Sequence, residues 1–595
     1  MINPAHFFKW CLSFLALVFV AALAGCGGGG SSSSAITIRG TAAAGSPVIG
    51  YVSVRDSSSN PQPVKTNIPI EANGNYSVDV SGLTPPYAFL ADGTVGGKRV
   101  TLYSAATSDD QGKTINITPF TDLMIRNIAN SAIDTYITNG GLSGLTTAEL
   151  NAQRDALTTA LTPALTAMGV SSSIDLLRAT FNADSTGLDR FMDVVKVDAS
   201  NPSAVTISNI LDAANQLVVD TTAGGTVSGT LPTTGMDPTA TPLDGMLASA
   251  QAFSAKFATS LPSASDPVLA GLFADTFSDG GDSKAVFLTQ ITSDPTIVGL
   301  HFSNFVVDSI DQTGTIAQIH FVPLDGSGTC LSHDNVGCSI GWQMKLNSTT
   351  QVWQFDGDQH IARVRVRTIA ERSLCYGASS TCNGAQNYYG TGLNLEVDDR
   401  AMVGIGSALV TGPGLPVGGV TLTAQQNQTW LNITTANPNN PCNGCSGSRW
   451  YMVDNDIASV ADNSVYTIQL YDNSQSPVLL ATYTDTVPVK PVLNTALTGL
   501  SYPSITSGMV NLAGTGAVNA HLSWTIPSGL YGDYMNLYVY QNNTNESQNA
   551  EATNMASTGT QTLSVIAPSS GTWTGGSYHI SAWDQYSGSV DTNYQ

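Results

Sequence analysis

The chain has 595 residues, more than a single hydrophobic core supports, so we expect about three to five domains. Only 11% of the residues are charged, 57 are Gly, and the formal net charge is −22. The 22 Lys and Arg residues spread over this length do not supply the clustered cations that phosphates need, which excludes a nucleic-acid partner. The acidic balance favours solubility instead.

Residues 1–25 have the composition of an export signal. Lys9 precedes the apolar run CLSFLALVFVAALA, which is too short to span a membrane as a mature helix, and Leu23-Ala24-Gly25-Cys26 closes the segment. This ending resembles the lipobox of bacterial lipoproteins. The resemblance implies cleavage before Cys26, lipidation of Cys26 and a lasting membrane anchor. The open alternative is an ordinary secretory signal in which Cys26 follows small residues by chance.

Residues 26–35 comprise this cysteine and a Gly/Ser linker. Gly27–Gly30 and Ser31–Ser34 have no side chains that could pack, so this linker is a flexible coil. Gly27 directly after the cysteine implies, by resemblance to the enterobacterial sorting rule, the outer membrane. We therefore expect a protein of the bacterial cell envelope, periplasmic or surface-exposed, whose folded part is held just off the membrane.

Six further cysteines form three pairs that are close in sequence. In an oxidising compartment this even number predicts disulfides that close short loops. The rival interpretation of the last pair, a CxxC redox or metal motif, is disfavoured because turn residues flank it and the chain has no second CxxC. The predicted pairs are Cys330 with Cys338, Cys375 with Cys382, and Cys442 with Cys445.

Residues 36–117 contain short β-branched or alternating runs, and Asn73-Gly74 is a hairpin signal, which together predict a small β-sandwich. The segments Gly40–Val48, Val52–Val54 and Gly74–Val78 resemble the carboxypeptidase regulatory-like domain. In that family the domain is a structural or binding module and carries no catalytic residue.

Residues 118–220 show helical periodicity. Thr118 is a predicted N-cap with Pro at the first helical position, and Thr146-Thr147-Ala148-Glu149 is a capping box that starts a second helix, which stops at Gly169. Further apolar spacing extends the predicted helical module to about residue 220. Residues 221–245, rich in Thr, Gly and Pro, are a predicted linker.

Residues 246–372 begin with two helical stretches and continue with strand-like runs. This order, with the segment Trp353–Gln359, resembles the NTF2-like cone. The resemblance implies an α+β domain in which a helix covers a curved sheet, with a concave pocket that the family uses for small ligands, catalysis or pairing.

Three cations alternate with valines near the end of this region, so a strand places Arg363, Arg365 and Arg367 on one face. In a chain this poor in cations they form a candidate binding face for an acidic partner. The alternative is a solvated strand face that discourages edge pairing.

Residues 373–490 predict a β-sandwich, and residues 491–595 predict another one. Segments around Trp524 and Tyr538 resemble fibronectin type III or immunoglobulin-like strands, with these two aromatics in the core. The predicted fold class is therefore multidomain and mainly β: a β-sandwich, a helical module, an α+β domain, then one or two Ig/fibronectin-like sandwiches.

Motifs for catalysis or metal binding are weak. Gly337–Gly341 matches G-x-S-x-G, but a strand follows where a nucleophile elbow needs a helix. Asp398-Asp399 and Asp454-Asn455-Asp456 supply only part of a calcium loop, so solvated turns are the favoured interpretation. We expect no cofactor and no metal ion.

These features favour a non-enzymatic, membrane-anchored binding or scaffold protein that acts in adhesion or surface recognition. Its partners would be the membrane, through the lipid on Cys26, and a glycan or protein ligand. The alternative is a secreted hydrolase or small-ligand enzyme that uses the pocket of residues 246–372. That alternative expects Arg363, Arg365 or Arg367 to converge with His320 or His360 in a pocket.

Overall fold

The computed structural model describes residues 35–58, 62–331, 338–375, 387–426, 428–441, 447–553, 555–586 and 588–595. Several predictions fall outside these residues. They are the signal and lipidation at Cys26, the linker up to residue 34, and the cysteines Cys382, Cys442 and Cys445.

The described chain is multidomain and mainly β, as the sequence predicts. None of its described helices is both long and apolar enough to cross a membrane. The α-helices are α1 (Pro119–Ala129), α2 (Ile133–Thr138), α3 (Thr147–Ala167), α4 (Gly187–Val194), α5 (Pro242–Phe257), α6 (Pro267–Gly271), α7 (Lys284–Ser293) and α8 (Asp454–Ile457).

The strands before the C-terminal region form five sheets in the described part of the chain. They are β1 (Thr37–Thr41), β2 (Ile49–Asp56), β3 (Lys65–Pro69), β4 (Asn75–Asp79), β5 (Tyr87–Val95), β6 (Lys98–Ala106), β7 (Val195–Asp198), β8 (Ala204–Asn209), β9 (Asp212–Asp220), β10 (Thr226–Gly229), β11 (Ser278–Asp279), β12 (Asp282–Ser283), β13 (His301–Ile310), β14 (Ile316–Leu324), β15 (Ile340–Leu346) and β16 (Trp353–Gly357).

The remaining strands form the C-terminal sheets. They are β17 (Arg363–Leu374), β18 (Tyr388–Asp398), β19 (Ile405–Thr411), β20 (Val420–Ala424), β21 (Leu431–Ile433), β22 (Arg449–Tyr451), β23 (Ser464–Asp472), β24 (Leu479–Val487), β25 (Ser504–Ser507), β26 (Val518–Thr525), β27 (Tyr531–Gln541), β28 (Glu546–Thr553), β29 (Thr558–Val565), β30 (Gly575–Trp583) and β31 (Ser589–Tyr594).

The N-terminal sandwich packs a sheet of order β3-β2-β5-β6 against the pair β1-β4. Tyr76 and Phe89 are buried between the two layers. The expected hairpin at Asn73-Gly74 is wrong in one respect: β4 pairs with β1 rather than with β3. The turn therefore carries the chain from one layer of the sandwich to the other.

The helical module begins as predicted, because the Thr118 side chain caps α1 and the Thr146 side chain caps α3. It does not continue to residue 220, however. From Val195 the chain forms a sheet of order β10-β9-β8-β7. Val205 and Ile207 are buried in this sheet at a spacing of two, which is a strand period. The first part of the expected linker forms β10 and pairs with β9.

The middle region has a helix on a sheet, since α5 packs against the four-stranded sheet β13-β14-β15-β16. Phe253 of α5 stacks on Phe302 of β13 with their ring centroids 4.4 Å apart. The core between helix and sheet is therefore filled with aromatic rings, which also include Phe273, Phe321, Trp342 and Phe355.

A seven-stranded sheet of order β22-β18-β17-β31-β30-β27-β28 runs through the whole C-terminal region. Strand β17 pairs with β18 on one side and in parallel with β31 on the other. The boundary expected at residue 372 thus falls inside a strand, and the boundary at residue 490 does not separate two independent sheets. The pairing of β17 with β31 joins the two expected domains into one sheet. These strands are more than 200 residues apart in the chain, so local sequence patterns could not predict their pairing.

Two smaller sheets cover one face of the seven-stranded sheet. Val364 and Val366 face the sheet β21-β20-β19-β23-β24. Leu374 and Tyr594, on the same face further along, pack against the sheet β25-β26-β29.

The two aromatics expected in the last core differ in burial. Trp524 is 7% exposed and donates its indole N–H to the carbonyl oxygen of Ala556 at 2.9 Å, as expected of a core residue. Tyr538 is 39% exposed, so its expected core position is wrong. Its neighbours Leu537 and Val539 occupy the core side of β27, and strand alternation turns Tyr538 to the other face.

Candidate ligand-binding site on the polar face of the seven-stranded sheet

The second face of the seven-stranded sheet carries charged side chains from strands that are far apart in sequence. Since Val364 and Val366 point to the core, the side chains between them belong to the opposite face. Register places residues of four more strands on that face. We call this set the polar face: Arg363, Arg365, Arg367, Glu371, Asn394, Glu396, Arg449, His579 and Asp591.

The predicted arginine face is paired within the fold. Arg365 is 5% exposed and Arg367 is 7% exposed, so the alternative of a solvated strand face is wrong for both. Arg367 Nη2 donates to Glu396 Oε1 at 2.6 Å, and its guanidinium lies 4.3 Å from the centroid of the Trp583 ring. Burial alone would raise the pKa of Glu396, but Arg367 and Arg363 hold it below its usual value.

A pocket of about 330 Å³ opens at one end of the polar face. An isolated bridge pairs Asp398, the last residue of β18, with Trp430, the residue before β21. This bridge places Trp430, which is 53% exposed, beside the charged end of the sheet. The side chains and backbone that form the wall include Arg363, Glu396, Asp398, Trp430, Asn432 and Ser448.

The wall of this pocket combines both signs of charge with an aromatic surface. Burial lowers the pKa of Arg363 to about 10, which still leaves the guanidinium charged at neutral pH. Asp398 Oδ2 accepts a hydrogen bond from Arg400 Nε at 3.0 Å, whereas its buried Oδ1 has no hydrogen-bond partner within the described residues. The pocket can therefore hold a small polar molecule that offers hydrogen-bond donors and one apolar surface.

A second ionic network lies deeper on the polar face, and sequence reasoning missed it. Arg449 Nη1 is 2.6 Å from Glu371 Oε2, and Arg449 Nη2 is 2.8 Å from Asp591 Oδ2. Tyr451 donates to Glu371 Oε1 at 2.6 Å. These are single charged or aromatic residues within β runs, and no local motif marks them. Only the register of the neighbouring strands β22, β18, β17 and β31 brings them together.

This network fixes the charge of its members. Burial alone would raise the pKa of Asp591, but His579, Arg449 and a hydrogen bond from Ser589 hold it well below its usual value. Burial and the neighbouring Glu371 raise the pKa of Tyr451. Near neutral pH the network therefore contains an ionised Asp591 and a neutral Tyr451.

The two histidines named in the enzyme alternative pair with aspartates. His320 Nδ1 contacts Asp308 Oδ2, which Lys98 Nζ also approaches at 3.1 Å. Burial alone would raise the pKa of Asp308, but His320 and Lys98 lower it to about 2. His360 Nδ1 lies 3.4 Å from Asp358 Oδ2. Each of the two histidines thus has a carboxylate of its own, on elements other than β17.

The G-x-S-x-G segment has a structural role. Ser339 is 2% exposed, and its hydroxyl donates to the carbonyl oxygen of Gly96 at 2.5 Å. Gly96 and Gly97 form the turn between β5 and β6, so this hydroxyl joins the N-terminal sandwich to the middle sheet. A hydroxyl held in this way is not exposed for nucleophilic attack.

The predicted disulfide between Cys330 and Cys338 is confirmed, with Cα atoms 5.7 Å apart. Cys375 is also disulfide-bonded. Its predicted partner Cys382 and the predicted pair Cys442–Cys445 lie outside the described residues.

The acidic turns are not open calcium loops. Asp399 is 7% exposed and accepts backbone N–H groups from Val403, Gly404 and Ile405 at 2.8–3.0 Å, so the expected solvated turn is wrong there. Asp454 begins the short helix α8 and accepts the backbone N–H of Asn494 at 2.6 Å. No group of three or more His, Cys, Asp and Glu residues in the described part of the chain is suited to hold a metal ion.

No family model matches the chain, and no curated protein matches it. Among solved structures, the chain is similar to the FN1–FN3 domains of chicken CNTN1 at 11% identity, over 49% of this chain and 99% of that chain, with a TM-score of 0.12. It is also similar to red sea bream transglutaminase at 7% identity, over 66% of this chain and 50% of that chain, with a TM-score of 0.12.

Proposed function

We propose that this chain is a lipid-anchored protein of the bacterial envelope that binds a carbohydrate-type ligand in the pocket beside Trp430. The observation that carries the proposal is the pairing of an indole that is 53% exposed with Arg363, Glu396, Asp398 and Asn432 around one pocket. A sugar ring presents an apolar C–H surface to an aromatic ring and hydroxyls to charged or amide groups. The proposed role is binding, without a chemical step.

The anchor and the scaffold complete this proposal. The lipid on Cys26, which the lipobox resemblance implies, would fix the protein to the outer membrane, with the Gly/Ser linker as a spacer. The regulatory-like sandwich, the helical module and the NTF2-like region would hold the C-terminal sheets away from the membrane. The protein would then act in adhesion or surface recognition, either in the periplasm or on the cell surface.

A glycan array tests the ligand class. The probe is a fluorescent form of residues 35–595, which includes every described residue. We expect binding to a subset of glycans, and at least a tenfold loss of affinity for Trp430→Ala. Tyr51→Ala is the matched control, since Tyr51 is an aromatic that is 50% exposed on β2. An array without any signal, or equal binding by Trp430→Ala and wild type, would refute the carbohydrate proposal.

Membrane fractionation tests the anchor. Cys26→Ser should move the protein from the membrane to the soluble fraction and abolish incorporation of labelled palmitate. Cys11→Ser, in the same leader, is the control and should change neither result. Unchanged fractionation of the Cys26→Ser protein would contradict lipid anchoring.

A further inference from the structure

Two large apolar side chains are exposed in the loop that follows β18, whose last residue, Asp398, lines the pocket. In the loop between β18 and β19, Met402 is 79% exposed and Val403 is 51% exposed. The backbone N–H of Asp399, in the same loop, donates to the carbonyl oxygen of Thr429 at 2.8 Å, directly before Trp430. The loop and Trp430 therefore emerge from one end of the sandwich. We call Met402, Val403 and Trp430 the apolar lip.

The fold holds this lip in place. The buried Asp399 carboxylate accepts three backbone N–H groups, and the N–H of Met402 donates to the carbonyl oxygen of Asp399 at 2.9 Å. Met402 has φ +52, a left-handed conformation that is uncommon outside glycine. Hydrogen bonds thus fix the backbone that carries these exposed side chains. Exposed apolar side chains on a fixed backbone beside a pocket are a candidate contact surface for the apolar part of a ligand.

Trp430 belongs to both the pocket and the lip. The pocket is lined by the charged residues Arg363, Glu396 and Asp398, and the lip adds exposed apolar side chains on the loop that follows Asp398. A free saccharide would use the pocket and leave Met402 and Val403 in water. A ligand that joins a polar head group to a hydrocarbon chain would use both surfaces.

We propose that the ligand is an amphiphilic saccharide, such as a glycolipid, whose sugar occupies the pocket and whose alkyl or acyl chain lies on the apolar lip. This inference rests on the proposed carbohydrate binding and names the ligand class of the same site. Both signs of charge in the pocket wall suit a hydroxyl-rich head group rather than a strongly charged one. Each methylene buried on the lip raises the affinity about three- to fourfold.

The test compares matched glycosides that differ only in their aglycone. The mature chain with Cys26→Ser, which keeps every described residue and needs no detergent, is titrated with methyl and n-octyl β-glycosides. The sugars are glucose, galactose, mannose and N-acetylglucosamine, and the octyl compounds stay below their critical micelle concentrations. For at least one sugar we expect the octyl glycoside to bind at least tenfold more tightly than the methyl glycoside.

Two variants separate the surfaces. The double variant Met402→Ser with Val403→Ser should lose most of the octyl advantage and leave methyl glycoside binding unchanged. Glu396→Gln should weaken both glycosides. The control pair is Val268→Ser with Ile566→Ser, which removes two exposed apolar side chains on distant elements (55% and 72% exposed) and should change neither affinity.

The outcomes distinguish the two proposals. Equal affinity for the methyl and octyl glycosides of every sugar that binds would overturn the proposal of an amphiphilic ligand. It would leave the proposal of carbohydrate binding in place. Octyl binding that is the same for all sugars and insensitive to Glu396→Gln would overturn both, as would the absence of binding to every compound. Circular dichroism and thermal unfolding of each variant establish that it is folded.

Discussion

Arg449 and Glu371 form an ion pair at the centre of the polar face: Nη1 lies 2.6 Å from Oε2, and the Glu371 side chain is fully buried. Arg449 also bonds Asp591 at 2.8 Å, so one guanidinium compensates two buried carboxylates. Removal of one partner from a buried ion pair leaves a charge in a medium of low polarity, which is strongly destabilising. Arg449 is thus expected to contribute strongly to the stability of the C-terminal sheets.

Arg449→Met should therefore lower the free energy of unfolding by about 3–5 kcal/mol. Denaturant unfolding monitored by tryptophan fluorescence measures the loss. Arg39→Met, which removes an exposed arginine on β1, is the matched control and should cost less than about 0.5 kcal/mol. Equal stability of the two variants would show that the Arg449 network contributes nothing measurable.

The buried Asp189 predicts a pH dependence of stability. It is 1% exposed, and burial raises its pKa from 3.8 to about 6. The folded state thus prefers the protonated form. The stability that Asp189 contributes is fully present below pH 3.8 and is lost as the pH rises through about 6.

Asp189→Asn mimics the protonated carboxyl at every pH. We expect the variant to match wild type near pH 4 and to exceed it by about 2 kcal/mol at pH 8. Calorimetry at pH 4, 6 and 8 measures this divergence. The control is Asp275→Asn, whose side chain is fully exposed, and it should show no such trend. A constant difference between Asp189→Asn and wild type across this range would contradict the prediction.

The turn at Gly97 is a point of close approach between the N-terminal sandwich and the middle sheet. A Cβ on Gly97 would lie 1.9 Å from Ser339 Cβ, and φ is +81. Gly82 has a similar φ of +77 but no heavy atom within 4 Å of an added Cβ. The two positions therefore share the backbone strain and differ in available space.

Gly82→Ala should cost about 1 kcal/mol through its backbone conformation. Gly97→Ala should cost a further 1–3 kcal/mol, roughly, because the turn must move away from Ser339. Hydrogen exchange of β6 and β15 should rise only in the Gly97 variant. Identical effects of the two substitutions would mean that the turn does not hold the two sheets together.

The disulfide between Cys330 and Cys338 closes a short loop. Its removal by the double substitution Cys330→Ser with Cys338→Ser should lower the free energy of unfolding by about 2–3 kcal/mol, because the unfolded chain regains loop entropy. Thermal unfolding of the two proteins under the same non-reducing conditions measures the loss. Peptide mapping of unreduced wild type should recover the two cysteines joined, and recovery of free thiols there would contradict the pairing.

Local signals in the sequence predicted local structure well. The Thr118 and Thr146 caps, the alternating strands of the N-terminal sandwich and the Cys330–Cys338 pair each depend on residues close together in the chain. The prediction that the helical module continues over residues 195–220 was wrong. Apolar residues at a helical spacing end near residue 195, and the apolar residues that follow alternate with a period of two, which is typical of strands.

Part of the candidate site was also accessible from the sequence. Alternation with valines placed Arg363, Arg365 and Arg367 on one face, and the structure agrees on that face. Trp430, Arg449 and the acids around them were not accessible, since isolated polar or aromatic residues within β runs carry no local pattern. Their neighbours come from strands joined by long-range pairing.

The sequence by itself determined which residues form most helices and strands, and which side chains of each strand share a face, because backbone periodicity and end caps act within a few residues. Tertiary structure alone decided that β17 pairs with β31 and that Asp398 meets Trp430. It also decided that the polar face is an internally paired surface with a pocket at one end. Strand register is set by contacts between segments that are far apart in the chain. Local sequence patterns do not contain this information, and the folded sheet does.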